Sequence, residues 1–380
     1  MAQTKSPKAS EYDSIVIGGG LSGLLVAHQL EETGRKVALI DSFDVMGGSS
    51  RTMKTLLGET DHGFPFFPAS NEADQSLAWL SSVLQNPIES KVLDIPPVTF
   101  DNGRFQPFVG FGEQKTEADR EWEYYLRPSF YSLTSTPKDW VKTLAETFTG
   151  DTFLNSHITN LTVEDGFVVG LTVNGTKFFS ADQVIFAAHP QMLAKLLPDS
   201  ALAARTRQRM LKGPYFTAIY LDLIHKGQVT ENQAVHLLRG ANEEPCVGQF
   251  LAASELGGET VQHSKWMTLI PADMTDDAEL AAHALKMIKR QIKRAYPTAL
   301  EGQIYERISV NPASHGHLDI ELENGQLPKL PNLWICSRFF GPERNAWGNV
   351  VEAKSVTDAT KTQEVSVETA ASSRPTTLEA

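Results

Sequence analysis

Three glycines, one acid and one arginine carry the most chemistry in this sequence. Gly18, Gly20 and Gly23 stand in a Gly-x-Gly-x-x-Gly pattern. The first permits a tight turn, the second lets backbone approach a diphosphate, and the third lets a helix pack closely on a strand. Leu21 and Ser22 then fall in the first helical turn, whose free N–H groups and positive dipole end suit a phosphate. Asp41, 23 residues after Gly18, can accept hydrogen bonds from an adenosine ribose. Gly47 and Gly48, with Arg51 three residues on, make a second glycine loop with a forked cation beside it. That extension suits a long diphosphate–ribitol chain and favours FAD over NAD.

The flanking residues supply the elements such a site needs. Ile15-Val16-Ile17 is a β-branched run, and Leu24, Leu25, Ala27 and Leu30 have helical spacing. Gly34 stands where a helix ends, and Val37-Ala38-Leu39-Ile40 forms a second strand leading into Asp41. The sequence predicts a helix from Trp140 to Thr147, strands carrying Ile158, Leu161 and Val163, a turn at Asp165-Gly166, a strand at Val168–Val173, and another at Ala181–Ala188. A last strand begins at Leu333, and Asn349, a good N-cap type, marks a helix start at Gly348-Asn349.

Composition narrows the alternatives. The 380 residues are 41% hydrophobic, enough for two or three domains with ordinary cores. Against 34 Lys and Arg stand 46 Asp and Glu, and the net charge of −12 disfavours nucleic-acid partners. Cys246 and Cys336 are the only cysteines, so neither a disulfide scaffold nor a cysteine-built metal site is expected. His315-Gly316-His317 lacks partners at ligand spacing, and no metal is assigned. No signal-peptide pattern or run of about 18 apolar residues is present, which points to a soluble, cytoplasmic protein.

The string GGGLSGL…LID…GGSSRT, with Asp61-His62-Gly63-Phe64 after it, resembles the N-terminal signature of the FAD-dependent amine oxidase superfamily. That group includes phytoene desaturases and protoporphyrinogen oxidase. The resemblance implies an α/β fold: a discontinuous Rossmann-like FAD-binding domain (12–68, 139–190 and 330–360) with an inserted α+β substrate domain (69–138 and 191–329). Residues 1–11 and 361–380 are expected to lie outside it as a flexible terminus and a disordered tail. It also implies non-covalent FAD, adenine contact at Ile158, and a helix N-terminus near Gly348 and Asn349 facing the flavin ring. The third segment departs from the family, with Ser337-Arg338 where a glycine and an acid are usual.

The implied activity is hydride transfer from a C–H bond of a small organic substrate to flavin N5, with oxygen, a quinone or another compound as electron acceptor. Phe64, Phe66 and Tyr125 are candidates to wall a pocket for an apolar or planar substrate, although aromatic clusters also serve as core. His62, Thr217, Lys212 and Trp347 are candidate catalytic residues. Thr217 aligns with the lysine that amine oxidases place on a substrate-domain strand, so a lysine-assisted amine oxidase is not expected. Two alternatives stand beside this reading: a non-redox flavin enzyme of the UDP-galactopyranose mutase type, and a flavin-binding protein without catalysis.

Overall fold

The computed structural model describes residues 11–240, 243–323 and 325–372. Five short segments form a parallel sheet: Leu333–Ile335, the second half of Lys177–Phe186, Tyr12–Ile17, Val37–Ile40 and Asp151–Phe153, in that lateral order. Their alternation covers both faces. Val16, Leu39, Ile185 and Trp334 point into one core, and Ile15, Ile17, Val184 and Phe186 into the other. Such two-sided burial explains why Ile15–Ile17 and Val37–Ile40 read as apolar runs rather than alternating ones.

Helices Leu21–Glu32, Pro137–Thr147 and Asn345–Ser372 contribute to the first core. An antiparallel meander, Ile158–Glu164, Phe167–Val173 and the first half of Lys177–Phe186, covers the second core. All five parallel strands end at one edge, where backbone amides stitch each strand to its neighbour. Cys336 N donates to Phe186 O at 2.9 Å, Ala187 N to Ile17 O at 2.8 Å, Gly18 N to Ile40 O at 2.8 Å and Asp41 N to Phe153 O at 2.9 Å. A crevice at the carboxyl edge of such a sheet is where open α/β folds bind ligands.

A second, larger sheet draws strands from both inserts. Gln303–His315, Phe216–Lys226, Glu259–Pro271, Cys246–Phe250 and His236–Leu238 are antiparallel in succession. His236 then pairs in parallel with Val98 of the first insert. Helix Ala278–Ala295 packs on this sheet, with Asp277 capping its first amides at 3.0 Å and Lys293 and Arg294 in its last turn.

Some segments lie elsewhere than expected. Helix Asn71–Val83 packs through Ala73, Leu77 and Leu80 into the first core, and Pro190–Leu196 and Ala204–Leu211 pack into the second. The layer built on the parallel sheet therefore includes segments beyond 12–68, 139–190 and 330–360. Its closing helix starts at Asn345, with φ +60°, and not at Gly348-Asn349, so Asn349 lies inside the helix. That helix continues to Ser372, so 361–372 is helical rather than a disordered tail; 373–380 and 1–10 are outside the described residues. Among the described residues, no helix is long and apolar enough to cross a membrane.

Gly23 sets how closely the first helix approaches the sheet. A Cβ there would overlap the Gly18 carbonyl oxygen and meet the Ala187 side chain at 3.3 Å. Because the first obstacle is backbone, it cannot rotate away. Gly23→Ala is expected to destabilise the fold by about 1–3 kcal/mol, the usual cost of overpacking, and to lower the thermal midpoint in a melt followed by circular dichroism.

Candidate functional site

The carboxyl edge opens into a cavity of about 390 Å³. At one end stand Asp41, Ser42 and Phe43 with Ser156, His157 and Ile158. Gly18, Gly20, Leu21 and Ser22 line the middle, facing Gly48, Ser49 and Asn349. The far end is formed by Ala187–His189, by Asn311–Ser314 of the second sheet and by Ser337, Arg338 and Phe339.

The two glycine loops are joined directly. Gly47 N donates to Gly19 O at 2.7 Å, and Gly20 and Gly47 form a parallel bridge. Gly47 and Gly48 have φ of +110° and +53°, left-handed values that glycine adopts without strain. A Cβ on Gly48 would lie 3.3 Å from Gly20 Cα, whereas one on Gly20 would meet nothing within 4 Å. Gly18 and Gly23 thus allow close packing, and Gly20 leaves open space for a ligand. At the helix start Ser22 Oγ donates to Asn349 Oδ1 at 3.0 Å, tying the first helix to the last.

Asp41 accepts from Gly19 N and, at 2.8 Å, from Phe43 N, one bond on each carboxylate oxygen. Each oxygen keeps capacity for a further donor such as a ribose hydroxyl. The chain thus supplies an acid at one end, an amide-lined diphosphate cradle in the middle and a roomier end beyond it, which fits FAD. Arg51 follows the second glycine loop without lining the cavity, and its guanidinium has no hydrogen bond or ion pair among the described residues.

Other sequence candidates fall outside the cavity. Thr217 is fully buried; its hydroxyl pairs with that of Thr275 and accepts from Ala313 N at 3.1 Å. Lys212 terminates helix Ala204–Leu211. Phe64, Phe66 and Tyr125 are packed in an aromatic core with Trp122, Tyr124 and Phe130. Trp347 is buried edge-on against Phe67 with ring centroids 6.1 Å apart, and Gly348 lies in the last helix, where an added Cβ would meet the Glu343 carbonyl oxygen.

His62 is buried edge-on to Tyr220, and neither ring nitrogen has a hydrogen-bond partner among the described residues. Burial, reinforced by Arg51, Arg307 and Lys265, lowers its pKa to about 4, so the ring is neutral near pH 7.

Sequence reading missed three groups. His189 lines the cavity, and its Nδ1 accepts from Gln191 N at 3.3 Å, which leaves the ring proton on Nε2. Burial and then Arg338 lower its pKa to about 4. Arg338 itself was visible only as a departure from a family pattern. The third group is buried under the loop after Asp61. There Lys265 Nζ lies 3.0 Å from Asp222 Oδ1 and donates to the carbonyls of Asp61 at 2.9 Å and Gly63 at 3.2 Å. Strand alternation alone gave no reason to single out this lysine.

A family model described as an NAD(P)-binding Rossmann-like domain matches residues 16–82. Among solved structures, an oxidoreductase from Methanosarcina mazei aligns with TM-score 0.67 at 12% identity, covering 91% of this chain and 99% of that one. The chain shares its fold. Cyclohexylamine oxidase from Brevibacterium oxydans IH-35A aligns equally, with TM-score 0.67, 12% identity, and coverage of 93% and 99%. Two chloroplastic prolycopene isomerases from an Oncidium hybrid cultivar are 46% identical over 46 residues, 12% of this chain and 8% of theirs. The chain thus matches only a small part of those curated relatives, while its fold is shared with the two solved structures.

The Lys265 cluster generates a stability prediction. Burial alone would raise the Asp222 carboxyl, but bonds from His263 and Lys265 outweigh it and hold the group below its usual value. Its contribution is therefore present above about pH 4 and lost as pH falls through the depressed folded value. Lys265→Met leaves that carboxylate and two loop carbonyls short of a donor. The variant is expected to be less stable by about 3 kcal/mol and to unfold at a higher pH on the acid side, measured by urea denaturation at pH 7 and by acid titration.

Proposed function

We propose that this chain is an FAD-dependent oxidoreductase that removes a hydride from a C–H bond of a small organic substrate with an apolar or planar body. The observation that carries the proposal is the cradle at Gly20. Two glycine loops are locked together around a position with no protein atom within 4 Å of an added Cβ, with Asp41 at one end and the inter-sheet junction at the other. The solved structures of similar fold include oxidoreductases, which supports the same reading.

Each group of the chain has a task in it. Amides at the start of helix Leu21–Glu32 receive a diphosphate, and Asp41 holds a ribose through its free lone pairs. Arg51 is an unpaired cation beside the second glycine loop, suited to offset phosphate charge. Ile158, at the start of the meander, covers the adenosine end of the cavity. The Ser22–Asn349 bond fixes the last helix against the first, so the donors along both remain preorganised. FAD, when bound non-covalently, supplies the two-electron acceptor, to be reoxidised by oxygen, a quinone or another compound.

Cavity chemistry also disfavours lysine-assisted amine oxidation. Among the described residues no lysine lines the cavity, and Thr217 spends its hydroxyl on Thr275 and Ala313. Peroxide release with primary, secondary and polyamine substrates is expected to stay at background. Robust amine turnover that collapses in Lys212→Met would reverse this assignment.

The cofactor assignment is tested on purified protein. It should be yellow and release FAD on denaturation at close to one equivalent. Gly20 has φ −73° and ψ 179°, which valine tolerates, and its Cβ direction is open. Gly20→Val should therefore keep its circular dichroism spectrum while losing at least nine-tenths of its FAD, because the branched side chain occupies the diphosphate position. Full flavin occupancy in that variant would refute the assignment.

A further inference from the structure

Arg338 follows the strand Leu333–Ile335, three strands away from the strand that ends in Asp41. At about 4.8 Å per strand, the two residues stand roughly 14 Å apart along the crevice. A dinucleotide with its adenosine at Asp41 and its diphosphate over Gly20 must therefore extend toward Arg338. The guanidinium is turned to the second sheet: it donates to Ser314 O, reaches Asn345 O at 3.4 Å and lies over the Phe339 ring at 5.5 Å. Tyr125, Tyr220, Glu121 and the like-charged Arg344 are the groups near enough to act on its charge.

None of these neutralises it. Among the described residues Arg338 is in no ion pair, and the two nearby carboxylates already have cationic partners. Glu121 lies 3.2 Å from Arg344 Nε, and Glu343 lies 3.5 Å from an Arg127 nitrogen. The nearby histidines add no compensating charge, since burial keeps His189 and His315 neutral, with pKa values of about 4 and 3. Burial likewise keeps Tyr220 a phenol, with a pKa of about 12. A half-buried cation without a counterion is costly unless an anion joins it. Arg338 is among the residues that line the cavity.

We infer that Arg338 is a specificity-determining residue that receives the carboxylate of an anionic substrate at the junction of the two sheets. The inference rests on the FAD reading for the direction in which the cofactor runs, and it narrows the substrate to a compact apolar or planar body bearing a carboxylate. The planar fork of a guanidinium matches that group with two parallel hydrogen bonds. The same positive charge could otherwise serve the cofactor's own anionic groups, and the experiment separates the two sources.

Benzoate and its neutral analogue benzamide are titrated into the purified full-length protein by calorimetry, for the wild type, Arg338→Met and Arg338→Lys, with FAD content measured in every sample. Benzoate should bind the wild type at least tenfold more tightly than benzamide. Arg338→Met should lose at least tenfold in benzoate affinity with benzamide unchanged, and Arg338→Lys, which keeps the charge but not the fork, should fall between. Equal affinity for the two ligands in the wild type overturns the proposal, as does undiminished benzoate binding in Arg338→Met. Loss of FAD affinity or a shifted flavin potential with benzoate binding intact assigns the charge to the cofactor and also overturns it. If Arg338→Met does not fold, Arg338→Lys decides, and unchanged benzoate affinity there counts against the proposal. Absence of FAD from the wild type defeats the functional reading separately, since the benzoate-to-benzamide ratio is measured without reference to flavin.

Discussion

The contact between Gly23 and the Gly18 carbonyl governs the geometry of everything at the carboxyl edge. Any side chain at position 23 would push the first helix off the sheet, and its N-terminal amides would then no longer face the crevice. That helix also carries Ser22, whose hydroxyl holds Asn349 of the last helix. Through this one bond the closest backbone approach in the N-terminal segment sets the position of a helix more than three hundred residues away in sequence.

The electrostatics follow a similar economy. Acid and base are segregated along the crevice, with Asp41 at one end and Arg338 at the other, while backbone amides rather than charged side chains occupy the middle. The histidines around the far end are held neutral by burial and by the neighbouring guanidiniums. Positive charge there is therefore fixed in amount across the physiological pH range, because arginine does not titrate in it.

The N-terminal βαβ unit was legible because each of its glycines does a local job that shows in its spacing. The meander was legible for a similar reason, as the turn at Asp165-Gly166 and the alternation on either side are local signals. What could not be read depends on contacts between distant segments. Nothing local marks helix Asn71–Val83 as packing on the first sheet, since an amphipathic stripe does not name its partner. The start of the last helix was misplaced by four residues because Asn345 and Asn349 are both suitable caps, and only the positive φ at Asn345 distinguishes them. Arg338 showed only as a departure from a family pattern and Lys265 not at all, because a cation acquires meaning only from what faces it.

Lys265 has one more consequence. Its ammonium is bonded at once to a carboxylate of its own sheet and to two carbonyls of the loop that leads out of the glycine-rich segment. Swinging the loop away from the sheet at this seam would strip a buried cation of both carbonyl partners together, so the seam behaves as a weld and not as a hinge. Traffic into the cavity must then use a route that leaves this junction shut, and any breathing that admits a substrate belongs to the loops around the cavity mouth.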